Sequence, residues 1–442
     1  MHFQSLNRPT TWLRYRPTTK DTITKVEAYF KLLPRRINSK RYEKALQKAF
    51  EDFRLPSKVR PFHINDSIKF FQHPDRSPGL PYTTQGFRRK DEVPPNTIKH
   101  YVHNLKYGIY SKCTTPCNAV TKSIVARKPK FRLIWVYPSH MTFAEGMFAQ
   151  PLIKAYQQKE GVYALHVNYS RGHLQRIMSL RPENYRWLAL DYSSFDARVP
   201  AWLIRDAFSI LREQIDFANY EFWGHPTDPD TLPRLWNRIV KYFIDTPIKL
   251  PSGEVKVKHQ GVPSGSFFTS LVNSVCNCIM MHYLLDDVEY SRNAFWVLGD
   301  DCLVAIKGTV SLSDMERDAS EVFGAIINPD KSEIGEFVSF LGYKMGGDRR
   351  PLASYEKLMA QLLLPEGRDQ SMDDFIARTK ALQLSCFGLG CLRFWHETQL
   401  FLDSLGVGDD PPLIHRKSDI YRKLEQLDLA DFPPLRLVAC RI

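Results

Sequence analysis

Two adjacent aspartates set inside apolar sequence constrain this chain more than any other feature. Residues 296–305 read WVLGDDCLVA. Like charges side by side repel, and burying even one of them without a partner costs several kcal/mol. Something positive must sit there. AFWVL and CLVAI are apolar runs of strand length with Gly299-Asp300-Asp301 between them, a pattern that predicts a β-hairpin with acids at its turn. The pairs Asp286-Asp287 and Asp373-Asp374 have polar neighbours and read as solvated loops. A third acid, Asp191, ends the apolar run in RWLALDYSSFD. If the two strands are neighbours, three carboxylates converge at one sheet edge, where divalent cations would relieve their repulsion. Two such ions, about 3.5–4 Å apart, would activate an attacking hydroxyl and stabilise a leaving oxygen in phosphoryl transfer.

Charge distribution points to the same class of ligand. The 442 residues carry a formal net charge of +13, and it is placed unevenly. Residues 1–140 hold 28 Lys and Arg against 9 Asp and Glu, whereas the remainder holds 33 against 39. A basic third joined to an acidic body suits a polyanion gripped from one side. With 43% hydrophobic and 25% charged residues the composition is that of a globular protein, long enough for two or three packed subdomains.

The eight cysteines are scattered without framework spacing, which implies a reducing compartment. His100, His103, Cys113 and Cys117 spell H-x2-H-x9-C-x3-C and raise the question of zinc. The ligand order is unusual, however, and the intervening NLKYGIYSK reads as an ordinary amphipathic stretch. Cys276 and Cys278 fall in an apolar helical run and are expected to be core thiols. The start of the chain lacks an apolar signal-peptide region, and no apolar run reaches 18 residues, so no membrane span is expected.

Helical periodicity marks RYEKALQKAFEDF, the segment after Pro200 and the apolar SFFTSLVNSVCNCIMMHYLL, while SPGLPY at 77–82 is an irregular loop. KSIVARKPKFRLIW places Lys122, Arg127, Lys128, Lys130 and Arg132 within eleven residues, suited to a triphosphate. A solvated charged loop is the competing reading. For Ser264, Thr269 and Asn273 the competing reading is helix capping and core hydrogen bonding.

Taken together, these motifs resemble those of viral RNA-dependent RNA polymerases. DYSSFD (191–196) is similar to the family's first palm motif, SGSFFTSLVN (264–273) to its second and GDD (299–301) to its third. KSIVARKPKFRLIW resembles the basic finger motif, SPGLPY the loop where template enters, NPDKSE the fourth palm motif and FLGYKM the fifth. Partitivirus polymerases are most similar, with picobirnaviruses close behind.

The resemblance implies an α+β right-hand polymerase fold. Residues 1–59 would be a basic N-terminal extension, 60–185 and 212–258 fingers, 186–211 and 259–345 palm, and 346–442 a helical thumb. Asp191 and Asp300, supported by Asp301, would hold two Mg2+ ions, for which Mn2+ could substitute. Asp196 and Asn273, with Ser264, would read the ribose 2′-hydroxyl. Gly265 and Thr269 complete the second motif, Ser77, Pro78, Gly79, Leu80 and Pro81 would meet template RNA, and Lys331 would protonate pyrophosphate. Partners would be template and product RNA, nucleoside triphosphates and a viral capsid protein, with a double-stranded RNA genome and a place in the virion interior or host cytoplasm. A reverse transcriptase shares the metal logic, but Gly299 and the second acid at 196 favour RNA precursors. A non-enzymatic nucleocapsid protein would explain the basic third but not three apolar-flanked aspartates.

Overall fold

The computed structural model describes residues 11–407, apart from 348, 370 and 387–391; residues 408–442, within the expected thumb, lie outside the described residues. The N-terminal stretch contributes β1 (Leu13–Arg14), α1 (Thr19–Glu27) and α2 (Lys40–Phe53). Ser39 caps α2 by accepting from Tyr42 N at 3.1 Å, and Tyr42, Ala45, Ala49 and Phe53 form its buried face. Next come α3 (Ile64–Lys69), α4 (Pro95–Lys106), the hairpin β2 (Cys117–Ala126) and β3 (Lys130–Val136), α5 (Ser139–Gln158) and α6 (His173–Ser179). They are followed by β4 (Tyr185–Ala189), α7 (Ala201–Arg212), α8 (Thr231–Ile244), β5 (Pro247–Lys249) and β6 (Val255–Val257). The helix α9 (Thr269–Leu284), buried on nearly all sides, leads into β7 (Tyr290–Leu298), β8 (Asp301–Lys307), α10 (Leu312–Phe323) and β9 (Glu333–Gly335). Short strands β10 (Ser339–Phe340), β11 (Tyr343–Met345) and β12 (Pro351–Leu352) precede α11 (Tyr355–Leu363), α12 (Met372–Gln383) and α13 (Leu392–Ser404).

The central sheet is antiparallel throughout, in the order β7-β8-β4-β9. Its strands are apolar on both faces because both faces are covered. Leu188, Val297 and Val304 join the main core with α9, whereas Trp187, Trp296 and Leu303 pack on the opposite side with Phe340 and Met345. In the second sheet β2 pairs with β1 and β3 and, in parallel, with β5, which pairs with β6. Helix α2 lies along α9, and Val26, Tyr29, Tyr42, Ala49 and Phe53 join the main core, so the described part of the basic N-terminal stretch is built into the fold. Leu358, Phe375, Phe394 and Trp395 form a separate apolar core for α11–α13.

Three local expectations shift. Strand β4 ends at Ala189, two residues before Asp191. The run EVFGAII (321–327) reads in the sequence as a helix, but α10 stops at Phe323 because Gly324 adopts φ +70° as its C-terminal cap. Asp373 and Asp374 occupy the first turn of α12, where carboxylates oppose the positive helix end, instead of a loop.

Candidate active site

The β7–β8 hairpin pairs Leu298 with Asp301, leaving Gly299 and Asp300 as a two-residue turn. Gly299 has φ +65°, the left-handed backbone that a type II′ turn needs at its first central position. Helix α9 holds this turn: Ser274 Oγ accepts from Gly299 N at 2.8 Å, and Asn277 Nδ2 donates to the carbonyls of Gly299 (3.1 Å) and Asp301 (3.3 Å). On the neighbouring strand Leu188 pairs with Val304. Strand β4 ends at Ala189, and Asp191, two residues on, lies near enough to the turn that its charge acts on Asp301 and that of Asp300 acts on it. Asp191 is held there by its own backbone, whose N donates to Ser332 Oγ (3.1 Å) and whose carbonyl accepts from Asn328 N (2.8 Å).

The three carboxylates are brought to one edge with cations nearby but no direct ion pair. Among the described residues none of them is in a salt bridge. Burial raises the Asp191 carboxyl above its ordinary value, the charges of Lys331 and Lys130 work against that rise, and Asp300 adds to it. Asp301 is exposed at the turn as a residue, yet desolvation of its carboxyl, then the charges of Asp300 and Asp191, push it up to about 6. Their oxygens are not all within 4.8 Å of one another; among the described residues only Asp52, Cys278 and His282 bring donor atoms that close. Carboxylates gathered at one sheet edge without direct ion pairs are oxygen donors of the kind that hard divalent cations take, so the chemistry of these residues fits such ions.

The second motif divides into two roles. Asn273 Nδ2 donates to Asp196 Oδ1 at 2.7 Å, and Asn273 Oδ1 is buried with no partner. Burial, then the charge of Asp300, pushes the Asp196 carboxyl up to about 6 against its bond from Asn273. Ser264 is turned elsewhere: its Oγ donates to Leu133 O (2.9 Å) and accepts from Trp135 N (3.3 Å), both on β3. Thr269 Oγ1 contacts the carbonyls of Pro263 and Ser266, each at 2.8 Å. Backbone hydrogen bonding thus describes Ser264 and Thr269, neither of which caps α9, whose N-cap is Phe268, and only Asn273 meets Asp196. Gly265 is required by closeness, since a Cβ there would lie 1.7 Å from Trp135 O.

The five finger cations also separate. Lys130 and Arg132 alternate on one face of β3; Lys130 acts on Asp191, and Arg132 acts on Asp196 and Asp301. Lys122 instead pairs with Glu366 (3.0 Å) and Arg127 with Glu356 (2.6 Å), both beyond the last strand. Lys128 lies exposed in the β2–β3 turn. Exposed Lys331 stands close enough to Asp191 and Lys130 to shift both. The 77–81 loop is fastened to the start of α5: Pro78 O accepts from Ser139 N (2.8 Å) and Ser139 Oγ (2.9 Å). Gly79, at φ +68°, leaves no room for a Cβ, which would meet Tyr137 O at 2.4 Å.

With this geometry in place, the family model described as viral RNA-dependent RNA polymerase matches residues 17–401. The chain belongs to this family. It is 28% identical over 269 residues to an RNA-directed RNA polymerase of Cryptosporidium parvum virus 1 (strain KSU-1), covering 55% of this chain and 48% of that protein. It is 27% identical over 250 residues to an RNA-directed RNA polymerase of White clover cryptic virus 1 (isolate Boccardo/2004), covering 48% and 39%. The chain therefore spans about half or less of the curated relatives it matches. The crystal structure of the RNA-dependent RNA polymerase of a human picobirnavirus superposes with a TM-score of 0.63 at 15% identity, over 87% of this chain and 73% of that one. The fold is the right-hand polymerase fold, and the kinship is with partitivirus-like polymerases.

Several residues of this polymerase-family site escaped the motif reading. Ser274, Asn277 and Ser332 fix the aspartates through backbone bonds, and the first two were signalled as polar residues in an apolar helix. The H-x2-H-x9-C-x3-C spacing does not assemble: Cys113 Sγ faces His140 Nε2 (3.6 Å), Cys117 Sγ faces Tyr242 OH (3.6 Å), and His100 Nε2 faces Asn104 (3.1 Å). No helix among the described residues is long and apolar enough to cross a membrane.

Proposed function

We propose that this chain copies RNA on an RNA template: the 3′-hydroxyl of the growing strand attacks the α-phosphate of a paired nucleoside triphosphate, and pyrophosphate leaves. The observation that carries this reading is the meeting of Asp191 with the Asp300-Asp301 turn beside the cations of β3, charge of both signs without internal pairing. Asp191, Asp300 and Asp301 would hold two Mg2+ ions, or Mn2+, which when bound lower the pKa of the attacking hydroxyl and clamp the leaving oxygens. Lys130 and Arg132 attract the triphosphate, with Lys128 at the rim. Lys122 and Arg127 would join them only on release from Glu366 and Glu356.

Asn273 offers its unpartnered Oδ1 to the ribose 2′-hydroxyl while Asp196 fixes the orientation of the amide. A lysine is a cation at neutral pH, so Lys331 can give a proton to departing pyrophosphate. In this reading the fingers are 60–185 and 212–258, the palm, with the β7-β8-β4-β9 sheet, is 186–211 and 259–345, and the thumb is 346–442. Ser77 to Pro81 guide template. In this reading the genome is double-stranded RNA, the chain associates with a capsid, and it works in the virion or host cytoplasm; the partitivirus-like kinship supports these points. Nucleotide incorporation on a primed RNA, with and without Mg2+, tests the reading: wild type should extend only with metal, and Asp300→Ala should not extend. Metal-free extension, or extension by the variant, would sink it.

A further inference from the structure

We propose a second RNA-binding site on the outer side of α3 and α4, a groove that takes single-stranded RNA and shares no residue with the aspartate site. It rests on RNA being this chain's ligand, as proposed above. A cavity of about 390 Å3 opens there, and His63, Lys99, His100, His103 and Lys106 line it. No acidic side chain is among its described lining residues. Lys106 is buried and its Nζ donates to the Tyr220 hydroxyl, which fixes one charge at the base of the groove.

Charge alone would make this a sink for any anion. The second observation is aromatic. His103 lies against Tyr107 with ring centroids 4.4 Å apart, and His63 lies against Trp223 at 4.8 Å. Tyr107, Trp223 and nearby Phe222 nevertheless remain 40%, 54% and 62% exposed. Trp223 is also held in place: its Nε1 donates to buried Asp66 Oδ2 at 2.6 Å, so the ring is set with more than half its surface open. Large fixed aromatic surfaces next to cations are what an unpaired polynucleotide uses, phosphates on the cations and bases on the rings. A duplex hides its base faces and gains only the charge. An acidic protein surface gains the charge and has no bases to stack.

The test uses the full chain, first saturated with a short primed RNA hairpin that fills the polymerase channel, then titrated with a fluorescent oligouridylate of about 20 nucleotides, enough to overrun a typical single-strand site. The loaded wild type should bind this second RNA, with affinity falling steeply as salt rises. Lys99→Glu combined with His103→Glu, at half-exposed and exposed positions, should weaken it by about tenfold or more. Trp223→Ala should weaken it by about fivefold. Extension of the hairpin should stay at the wild-type rate in both. No second binding event, or unchanged affinity in both variants, would overturn the proposal. A loss in the charge variant alone, with dextran sulfate bound as well as RNA, would also overturn it and mark the groove as a docking surface for an acidic protein. Failure of wild type to extend the hairpin would count against the polymerase reading instead, and the oligouridylate titration would still judge the groove.

Discussion

Helix α9 carries two polar clusters on one apolar rod, and they are built on opposite principles. Its first half presents Asn273, Ser274 and Asn277 to Asp196 and the 299–301 turn. Its second half presents Cys278 and His282 to Asp52 of α2. In the second cluster each charge has a partner. His282 Nε2 lies 2.6 Å from Asp52 Oδ2, His282 Nδ1 lies 2.8 Å from the Tyr290 hydroxyl, and Arg292 Nη2 donates to Asp52 Oδ1 at 2.5 Å. Burial opposes ionisation of Asp52, yet His282 and Arg292 outweigh it and hold the carboxyl below its usual range. In the first cluster the carboxyls of Asp191, Asp196 and Asp301 are raised, and Asn273 Oδ1 and Asn277 Oδ1 are buried without partners. A satisfied buried network is architecture; an unsatisfied one keeps polar groups open to a ligand.

The largest effects should separate the two halves cleanly. Asp300→Ala should lower incorporation by at least ~10³-fold, because a metal supplies several kcal/mol of transition-state stabilisation and each 1.36 is tenfold. Thermal stability should be unchanged or slightly higher, since a repelling charge is gone. Asp52→Ala should do the reverse. Removing one partner of a buried ion pair costs about 3 kcal/mol here, the low end of the usual range because Arg292 is partly exposed. Below its melting temperature that variant should incorporate nucleotides within about threefold of wild type, since no catalytic group is lost. Urea titration and single-nucleotide kinetics on both proteins would decide. A catalytic defect in Asp52→Ala without a stability loss would erase the distinction.

Smaller effects lie within the first cluster. Asn273→Ala should reduce discrimination against deoxyribonucleotides by about 10–10²-fold, because a site that hydrogen-bonds a hydroxyl rejects the analogue lacking it. Matched ribo- and deoxyribonucleotide competition measures this, and unchanged selectivity would return Asn273 to helix packing. Lys331→Arg should slow incorporation by about tenfold, the loss of a modest general-acid contribution with the charge retained. Rapid-quench addition of one nucleotide reads it; a wild-type rate would make Lys331 a counter-charge only.

How much of this was legible follows from where the signal resides. The aspartates could be read because carboxylates inside apolar strands are locally anomalous, and Gly299 announced the turn between them. Asn273 was found by its motif, Ser274 and Asn277 only as unexplained polarity on the same helix. The surroundings of Ser264 were hidden because a sequence cannot show that β3 runs beside residue 264 and hydrogen-bonds its hydroxyl at Leu133 O and Trp135 N. The basic run gave five equal cations, and only the fold hands Lys122 and Arg127 to acids more than two hundred residues away. The Asp52–His282 pair had no signal at all: its members are 230 residues apart and each is unremarkable in its own helix.

Glu145 shows a third way to bury an acid, and it yields the mildest prediction. It lies on α5 with no exposed surface, and its Oε2 accepts from Ser266 Oγ and Phe267 N, both at 2.8 Å, tying α5 to the turn that starts α9. Among the described residues Oε1 has no partner and no cation is in a salt bridge with the group, although the charge of Lys90 acts on it from a distance. Burial accordingly pushes the carboxyl up from 4.5 to about 8, which favours the neutral acid in the fold at pH 7. Between those two values the folded state holds a proton that the unfolded chain has released, so stability is full below pH ~4.5 and declines as pH climbs toward about 8. Glu145→Gln keeps the shape of the protonated acid, with an oxygen for the two donors and nothing to titrate. Its stability should therefore diverge from that of wild type by about 1.4 kcal/mol per pH unit at the steepest, with wild type losing ground as pH rises. Urea unfolding of the two proteins from pH 5 to pH 8 would show it. Parallel curves would mean that Glu145 is ionised in the fold and balanced by a charge, as Asp52 is.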